Sequence, residues 1–293
     1  LLAISKGKLQ WSAPFAGDPK AVIDDVTGDG ARDVVVSGGS SVRCYNGVNG
    51  EKVWQFDCGQ RRVFISGLGW GNEGLKVDGI QVLQTGDSQI IAARSDRYAF
   101  GIDAQGGERL WRFKAESLIY SMASVSDLND DGVEELAVGT TGGYLYLVNG
   151  STGKTKWKKK IGVDWVELGN VRHGAIKSIA TFDDRSSEAM IVTSDERVCL
   201  IDLSNGDLEW ENQVAYREMR SDVQAWLAPD VTGDGLPEIL VNKGYVSEAE
   251  ETSTTPGGGM SIRRPLRIAV LLSGADGSEV WETQLYLEGS LIT

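Results

Sequence analysis

A glycine followed four residues later by a tryptophan recurs along the whole chain, and this repeat constrains the fold more than any other feature. Eight residues before most of these tryptophans lies a turn-forming residue, which is Asn46, Asp103, Asn149, Asp202 or Ser273. Short strands repeated with a period near 45 residues are typical of propeller blades. The pairs are Gly7/Trp11, Gly50/Trp54, Gly107/Trp111, Gly153/Trp157, Gly206/Trp210 and Gly277/Trp281.

The segment from Asp127 to Trp157 shows the complete repeating unit, with an acidic loop, two strands joined by a Gly142-Gly143 turn, and a last strand that carries the tryptophan. Copies of this unit predict an all-β fold, a β-propeller of four-stranded blades with about five full blades and partial blade strands at the ends. We expect the blades at residues 18–58, 59–115, 116–161, 162–214 and 215–285. They would form a single domain over residues 1–293, and the composition of residues 244–264 predicts a mobile inserted loop.

Three acidic loops, at residues 25–33, 127–135 and 230–238, indicate cation sites. Each has oxygen-bearing side chains at positions 1, 3, 5 and 9 and a glycine at position 6, which suits a hard cation such as calcium. We therefore expect up to three Ca²⁺ ions, most strongly in the central loop, because threonine is a weaker third ligand in the other two. The alternative is a set of metal-free Asp/Asn/Gly turns. The candidate ligands are Asp25, Thr27, Asp29, Asp33, Asp127, Asn129, Asp131, Glu135, Asp230, Thr232, Asp234 and Glu238.

The two halves of the unit resemble two known repeats. The Gly-x-x-x-Trp half resembles the PQQ-type (quinoprotein-like) propeller repeat, and the acidic half resembles the FG-GAP/VCBS calcium loop of integrin-type propellers. Together these resemblances cover essentially the whole chain and imply a calcium-binding propeller. They do not fix an activity, because both repeats serve enzymes, adhesins and scaffolds.

Composition limits the partners and the location. A formal net charge of −13 and an isoelectric point near 4.6 argue against nucleic-acid binding. No apolar run approaches 18 residues, so we expect no membrane span in this segment. So few charges per loop predict calcium affinities of roughly 0.1–1 mM, which favours a secreted or cell-surface location. The three cysteines, Cys44, Cys58 and Cys199, are interpreted as small buried hydrophobes, with a Cys44–Cys58 disulfide as the alternative.

Several further motifs have a structural and a functional interpretation. We interpret the repeat tryptophans as wedges between sheets rather than as a ligand platform. Residues 69–74 match G-x-G-x-x-G, but no helix is predicted after them, so we expect an elaborated loop. The lysines around Trp157 suit an edge strand protected against aggregation, and residues 183–188 lack the central Asp-Gly of a metal loop. His173, the single histidine, has no accompanying G-x-S-x-G and is interpreted as structural.

These features favour a non-catalytic, calcium-stabilised extracellular propeller that acts as a binding, adhesion or assembly module, with a protein or glycan partner at one face. The alternatives are a carbohydrate-active propeller similar to polysaccharide lyases and, less well supported, a fragment of a PQQ-dependent dehydrogenase. The dehydrogenase resemblance implies eight blades and an adjacent cysteine pair, which this sequence lacks. No catalytic residues are assigned.

The two ends predict an incomplete ring. Residues 1–15 supply the third and fourth strands of a blade, whereas residues 285–293 supply only a first strand. Because an open blade edge is a template for strand pairing, we expect either a longer propeller or self-association through open blade edges.

Overall fold

The protein is described from a computed structural model. The structure describes residues 2–5, 8–13, 20–66, 69–86, 88–167, 169–182, 188–193, 196–214, 223–243, 251–253, 260–262 and 266–286. Every regular element in these ranges is a β-strand, so the predicted all-β class is confirmed.

The strands are short and follow one another closely. In chain order they are β1 (Leu2–Ser5), β2 (Lys8–Ser12), β3 (Lys20–Asp24), β4 (Asp33–Gly38), β5 (Ser41–Tyr45), β6 (Lys52–Asp57), β7 (Gln60–Ile65), β8 (Gly69–Gly74), β9 (Gly79–Gln84), β10 (Gln89–Ser95), β11 (Tyr98–Asp103), β12 (Arg109–Lys114), β13 (Ile119–Val125), β14 (Glu135–Thr140), β15 (Tyr144–Val148), β16 (Thr155–Lys160), β17 (Trp165–Glu167), β18 (Asn170–Arg172), β19 (Ile176–Thr181), β20 (Glu188–Thr193), β21 (Arg197–Asp202), β22 (Asp207–Gln213), β23 (Gln224–Ala228), β24 (Glu238–Asn242), β25 (Glu251–Ser253), β26 (Met260–Ile262), β27 (Leu266–Leu272) and β28 (Glu279–Tyr286).

Five four-stranded antiparallel sheets form the blades of a propeller. They are β3–β6, β9–β12, β13–β16, β19–β22, and the set β23, β24, β27 and β28, which we number one to five. Within each blade, strands that follow one another in sequence are neighbours in the sheet, as in an up-and-down meander. These sheets coincide with the five blades predicted from the tryptophan repeat. The hairpin of β1 and β2 precedes blade one.

The first strands of blades one to four lie towards the centre of the ring. First strands of neighbouring blades contact each other, β3 with β9, β9 with β13 and β13 with β19. Together they surround a cavity of about 400 Å³, lined among others by Ala21, Gln81, Met122 and Ile179. This cavity is the central channel typical of a propeller.

The apolar core lies between neighbouring blades rather than inside one sheet. Leu83 and Ala99 of blade two pack with Leu136 and Val138 of blade three in one buried cluster. All six residues of strand β14 are buried, so neighbouring blades cover both faces of this strand. A blade covered on both faces reads as a continuous apolar run, and it is stable only with a neighbour on each side.

In blades one to four, a tryptophan on the last strand joins the blade to the next one. Trp111 is 6% exposed, and its indole N–H donates to the Gly150 carbonyl of blade three at 2.6 Å. The ring lies against Gly153, whose φ is 69°, and a Cβ atom at that position would meet the indole at 2.8 Å. Both the backbone conformation and the close approach require glycine here.

The same docking recurs at every junction that the structure describes. Trp11 donates to Gly47, Trp54 to Ala104, Trp157 to Leu203 and Trp210 to Gly274. In each case the acceptor carbonyl lies three residues before the glycine of the next repeat. The interpretation of these tryptophans as wedges between sheets is thus confirmed. Trp281, on the last strand of blade five, is the exception: it is 42% exposed and finds no acceptor among the described residues.

The meander places the connections on two opposite faces of the ring. First-to-second and third-to-fourth connections share one face, which we call the acidic face because the loops 25–33, 127–135 and 230–238 lie there. Second-to-third and fourth-to-first connections share the other, which we call the hairpin face. Three two-stranded hairpins, β7–β8, β17–β18 and β25–β26, fall in connections of this second kind.

Several other sequence predictions can be compared with the structure. Cys44, Cys58 and Cys199 are buried free thiols, so the alternative of a Cys44–Cys58 disulfide is wrong. Burial raises the pKa of Cys44 and of Cys58 to about 12. The G-x-G-x-x-G segment forms strand β8, as expected for an elaborated connection. The degenerate loop at residues 183–187 and most of residues 244–264 lie outside the described ranges, although β25 and β26 pair within the second segment.

The lysines of β16 are engaged within the protein. Lys158 pairs with Glu116 at 2.6 Å, Lys159 with Asp207 at 3.3 Å, and Lys160 with Asp164 at 2.6 Å. These contacts tie the outer strand of blade three to its neighbours, which the edge-protection interpretation did not include.

Truncation of a docked tryptophan should destabilise the ring far more than truncation of the exposed one. We expect Trp111→Ala to lower the free energy of unfolding by about 3–5 kcal/mol, because it leaves a cavity and an unpaired carbonyl between two blades. Trp281→Ala is the matched control and should cost no more than about 1 kcal/mol. Denaturant unfolding of both variants measures the difference, and equal losses would contradict the docking interpretation.

Candidate functional site

The three acidic loops share one local architecture that places an acid at the start of the second strand of the blade. Asp33, Glu135 and Glu238 begin β4, β14 and β24 and are almost fully buried. In the fifth blade the Glu238 carboxylate accepts the Val231 N–H at 2.8 Å and the Thr232 hydroxyl at 2.6 Å. These hydrogen bonds close the loop on itself and satisfy a buried charge.

The first aspartate of each loop accepts hydrogen bonds from the tip of the loop. Asp230 accepts the N–H groups of Gly233 at 2.6 Å and Gly235 at 2.9 Å, and Asp25 and Asp127 accept the N–H group that corresponds to that of Gly235. At Asp127 burial opposes ionisation, but the backbone N–H groups outweigh it and hold the pKa below its usual value. The carboxylate is therefore ionised and fixed in place at neutral pH.

The fifth loop brings three carboxylates together. One oxygen each of Asp230, Asp234 and Glu238 lies within 4.8 Å of the other two, and among the described residues no other group of three His, Cys, Asp or Glu side chains meets this criterion. Hard oxygen ligands at that spacing suit a calcium ion, whose ligands lie at about 2.3–2.6 Å. The residues present therefore fit a divalent cation.

The central loop differs because protein groups occupy its acids. Lys156 pairs with the buried Glu135 carboxylate at 3.0 Å, and the Asn129 amide also donates to it. Asp131 accepts the Asn149 amide at 2.8 Å and the Ser151 hydroxyl at 3.0 Å. A cation here would compete with an ammonium group and two neutral donors. The ranking of the loops by their third ligand did not take these groups into account.

The first loop is intermediate between the other two. Asp29 accepts the Asn46 amide at 2.8 Å, as Asp131 accepts Asn149, whereas Val53 stands where blade three has Lys156. In blade five these two places are taken by Ser273 and Val280. Asp234 accordingly keeps one carboxylate oxygen without a hydrogen-bond donor among the described residues. The twelve predicted ligands thus lie where the loops were expected, but the three loops are not equivalent.

The hairpin face carries the features that sequence reasoning missed. Between blades two and three lies a cavity of about 370 Å³, lined among others by Asp78, Arg94, Leu118 and Tyr120. The β17–β18 hairpin exposes Val166 and Val171, which are direct cross-strand partners. The available signal in the sequence was the presence of large apolar residues in residues 60–74 and 165–172, two stretches that belong to no repeat.

His173 lies beside β18 and supports the connection between blades three and four. Its Nδ1 is 2.9 Å from Asp164 Oδ1, which also accepts from Lys160 at 2.6 Å. These hydrogen bonds, those from Lys160 and His173 in that order, hold the pKa of Asp164 below its usual value. The contacts are consistent with the structural role predicted for this histidine.

The fold and its tryptophan docking define the chain as a PQQ-type β-propeller. Residues 1–172 match the family described as outer membrane protein assembly factor BamB, and the chain belongs to this family. Human protein FAM234A is 23% identical over 177 residues, which are 52% of this chain and 30% of that protein. The chain thus spans less than a third of the length of this curated relative.

Solved propellers show the same fold at low sequence identity. Sqt1 from Chaetomium thermophilum, bound to the N-terminus of ribosomal protein L10, has a TM-score of 0.60 and 12% identity, over 96% of this chain and 67% of that chain. BBS1N in complex with ARL6DN has a TM-score of 0.53 and 11% identity, over 93% and 79%. The designed protein Ika8 has a TM-score of 0.53 and 11% identity, over 86% of this chain and 58% of that chain.

The propeller fold and the family match are consistent with a binding or assembly module. The described residues contain no helix long and apolar enough to cross a membrane.

The ion pair in the central loop provides a test of how that loop is stabilised. We expect Lys156→Met to lower the free energy of unfolding by about 1–3 kcal/mol, because the Glu135 charge stays buried without its partner while the apolar stem is kept. Lys154→Met removes an exposed lysine from the same segment and should change stability by no more than about 0.5 kcal/mol. Denaturant unfolding with and without millimolar calcium checks this, and a variant that calcium alone restores fully would reveal a cation site in the central loop.

Proposed function

We propose that the chain is a non-catalytic, calcium-stabilised β-propeller that works outside the cytoplasm as a binding and assembly module. The observation that carries this proposal is the separation of the two faces. The acidic face holds loops that are closed by their own hydrogen bonds, whereas the hairpin face projects two hairpins with exposed apolar side chains. On hairpin β7–β8 two large aromatic side chains, Phe64 and Trp70, are exposed side by side, and exposed apolar groups of this size mark an interaction surface.

Calcium belongs to this proposal because of the fifth loop. Asp230, Asp234 and Glu238 would hold the ion, with Thr232 as a further oxygen, and the ion would neutralise three carboxylates gathered in one connection. That connection joins the first two strands of blade five, so bound calcium would stabilise the native blade by mass action. The fit is weaker in the first loop and weakest in the central loop, where Lys156 already supplies a positive charge.

The location follows from the affinity expected of such a loop. A site with three carboxylates and no dedicated cage should bind calcium at roughly 0.1–1 mM, a concentration maintained outside cells rather than in the cytosol. A secreted or cell-surface position is therefore part of the proposal.

A protein partner for this chain is supported by the structures of similar fold. Sqt1 was solved with the N-terminus of a ribosomal protein, and BBS1N with ARL6DN, so propellers of this shape do bind proteins. We propose that this chain likewise binds a protein partner. A glycan partner remains the alternative, because exposed aromatic rings also bind sugars.

Self-association is a second proposed activity, and Trp281 is the observation that favours it. Each of the other five repeat tryptophans inserts against the glycine turn of a following blade, but Trp281 is largely exposed at the outer edge of blade five. The matching surface is a turn of the kind formed at Gly153, which another propeller blade would supply.

Calcium should raise the melting temperature of the chain relative to excess chelator, because the ion binds the native fifth loop only. Asp234→Asn removes one of its three carboxylates and should abolish most of this shift. Asp130→Asn is the control, since Asp130 has a positive φ of 58° that asparagine tolerates and lies outside the predicted ligand set. Differential scanning fluorimetry in millimolar calcium checks both, and superimposable curves for the unaltered chain would refute the calcium proposal.

The exposed tryptophan should also control association of the chain. Light scattering should show an average mass that rises with protein concentration. Trp281→Ser should lower the average mass at high concentration, because it removes the exposed apolar side chain that would pack against a second molecule. Trp226→Ser, which removes another half-exposed tryptophan from the inner strand of blade five, is the matched control. A monomer at every concentration would exclude self-association through this edge.

A further inference from the structure

We propose that hairpin β7–β8 docks a segment of a partner protein in which a carboxylate side chain lies next to an apolar side chain. This inference rests on the proposed binding function and names the surface and the chemistry of the partner. The surface consists of Arg62, Phe64 and Trp70, which we call the hairpin platform.

The strand register puts these three residues on one side of the hairpin. Phe64 pairs with Trp70 and Arg62 with Asn72, so their side chains share the side that faces away from the ring. Arg61 and Glu73 pair on the opposite side. The alternation of side chains along the two strands therefore separates an anchoring side from a presenting side.

The anchoring side fixes the hairpin to blade two. Arg61 pairs with Glu73 at 2.9 Å and with Asp96 at 3.1 Å, and Asp96 lies in the turn between β10 and β11. At the base of the hairpin, the Leu75 N–H donates to the Gly59 carbonyl at 2.9 Å. The half-exposed Arg61 thus links one side of the hairpin to the turn of blade two, and the other side, which carries the platform, is open. Such a pre-ordered surface loses little entropy when a partner binds.

The two aromatic rings are exposed to an extent that folding alone does not explain. Phe64 is 65% exposed and Trp70 is 64% exposed, yet their ring centroids lie 5.5 Å apart at 73°. An aromatic pair of this kind adds little to the stability of the blade while it is in water. Aromatic and arginine side chains together are the residues that most often dominate the binding energy of an interface.

Arg62 specifies the charge of the partner. Its guanidinium lies 5.3 Å from the Trp70 ring centroid and has no carboxylate partner among the described residues. The neighbouring Arg61, by contrast, is neutralised by two acids. A guanidinium held on an aromatic ring presents its donors in a plane, which suits a carboxylate with two parallel hydrogen bonds.

The geometry favours a protein segment over a sugar or an anionic membrane. The guanidinium covers the Trp70 ring, and the edge-on arrangement of the Phe64 and Trp70 rings gives an angled notch rather than the flat face on which a sugar stacks. A membrane surface of anionic lipid is attracted by several clustered cations, whereas one unpaired arginine stands here. In the proposed complex an apolar side chain packs into the angle between the two rings, and an adjacent carboxylate binds the Arg62 guanidinium.

The probe for this proposal is a display library of random 12-residue peptides selected on the immobilised 293-residue chain. Selected peptides should share an Asp or Glu next to a large apolar residue, and their affinity is then measured by fluorescence polarisation. We expect Arg62→Glu and Trp70→Ala each to weaken binding by about tenfold or more. Arg112→Glu is the matched control, because Arg112 is also exposed and lies 5.2 Å from an aromatic ring, that of Tyr98, on the outer strand of blade two. It should change the affinity by less than about twofold.

Each other outcome overturns the inference. Selected peptides that bind the unaltered chain and Arg62→Glu equally would place the binding surface elsewhere and leave the proposed binding function standing. Equal weakening by Arg62→Glu and Arg112→Glu would indicate unspecific charge attraction. Binding to a glycan array or to vesicles of anionic and zwitterionic phospholipid, without peptide selection, would assign the platform to one of those partners. If no ligand of any class binds, the proposed function fails with the inference. Unchanged melting temperatures of the variants establish that the loss is local.

Discussion

The docking of a tryptophan against a glycine turn of the next blade holds this propeller together. A single blade buries too little apolar surface to be stable, since its two faces both need cover. The indole ring fills the space between two sheets, and its N–H satisfies a turn carbonyl that would otherwise be buried without a partner, as Trp111 does for Gly150. Because a Cβ atom at the turn glycine would collide with the ring, the glycine and the tryptophan of neighbouring repeats are required together. The period of the sequence is therefore the period of these junctions.

The acidic loops depend on the same ring geometry but solve a more local problem. Each must turn the chain from the innermost strand to the next while it buries an acid at the first residue of that strand. Backbone N–H groups and one short polar side chain satisfy the acid in all three loops, so these loops hold their shape through their own hydrogen bonds. The three loops differ in the side chains that contact their acids from two other parts of the same blade, the third-to-fourth connection and the outer strand. Lys156 and Asn149 fill that space in blade three, whereas valine and serine leave it open in blade five.

The separation of the two faces lets stabilisation and recognition vary independently. On the acidic face, hydrogen-bonded loops join the first two strands of a blade. On the hairpin face, insertions lengthen connections that take no part in tryptophan docking. A hairpin inserted there can change sequence without disturbing a junction, as long as its base stays anchored. The exposed pair of Phe64 and Trp70 and the anchored Arg61 show this division within a single hairpin.

Sequence alone determined the class of fold, the positions of the five blades and the role of the repeat tryptophans, because each of these follows from a local pattern repeated in phase. It also located every residue of the acidic loops. It could not rank those loops, because Lys156 is 21 residues from Glu135 in the chain and meets it only once the blade has formed, when the side chain reaches from the fourth strand past the third to the start of the second. Nor could it separate Trp281 from the other five, since exposure depends on whether a following blade covers the ring. Tertiary contacts likewise decided which side of hairpin β7–β8 faces solvent. Arg61 pairs with Asp96, 35 residues further along the chain, so the side of the hairpin that carries Arg61 faces blade two. Arg62, Phe64 and Trp70 therefore lie on the outer side.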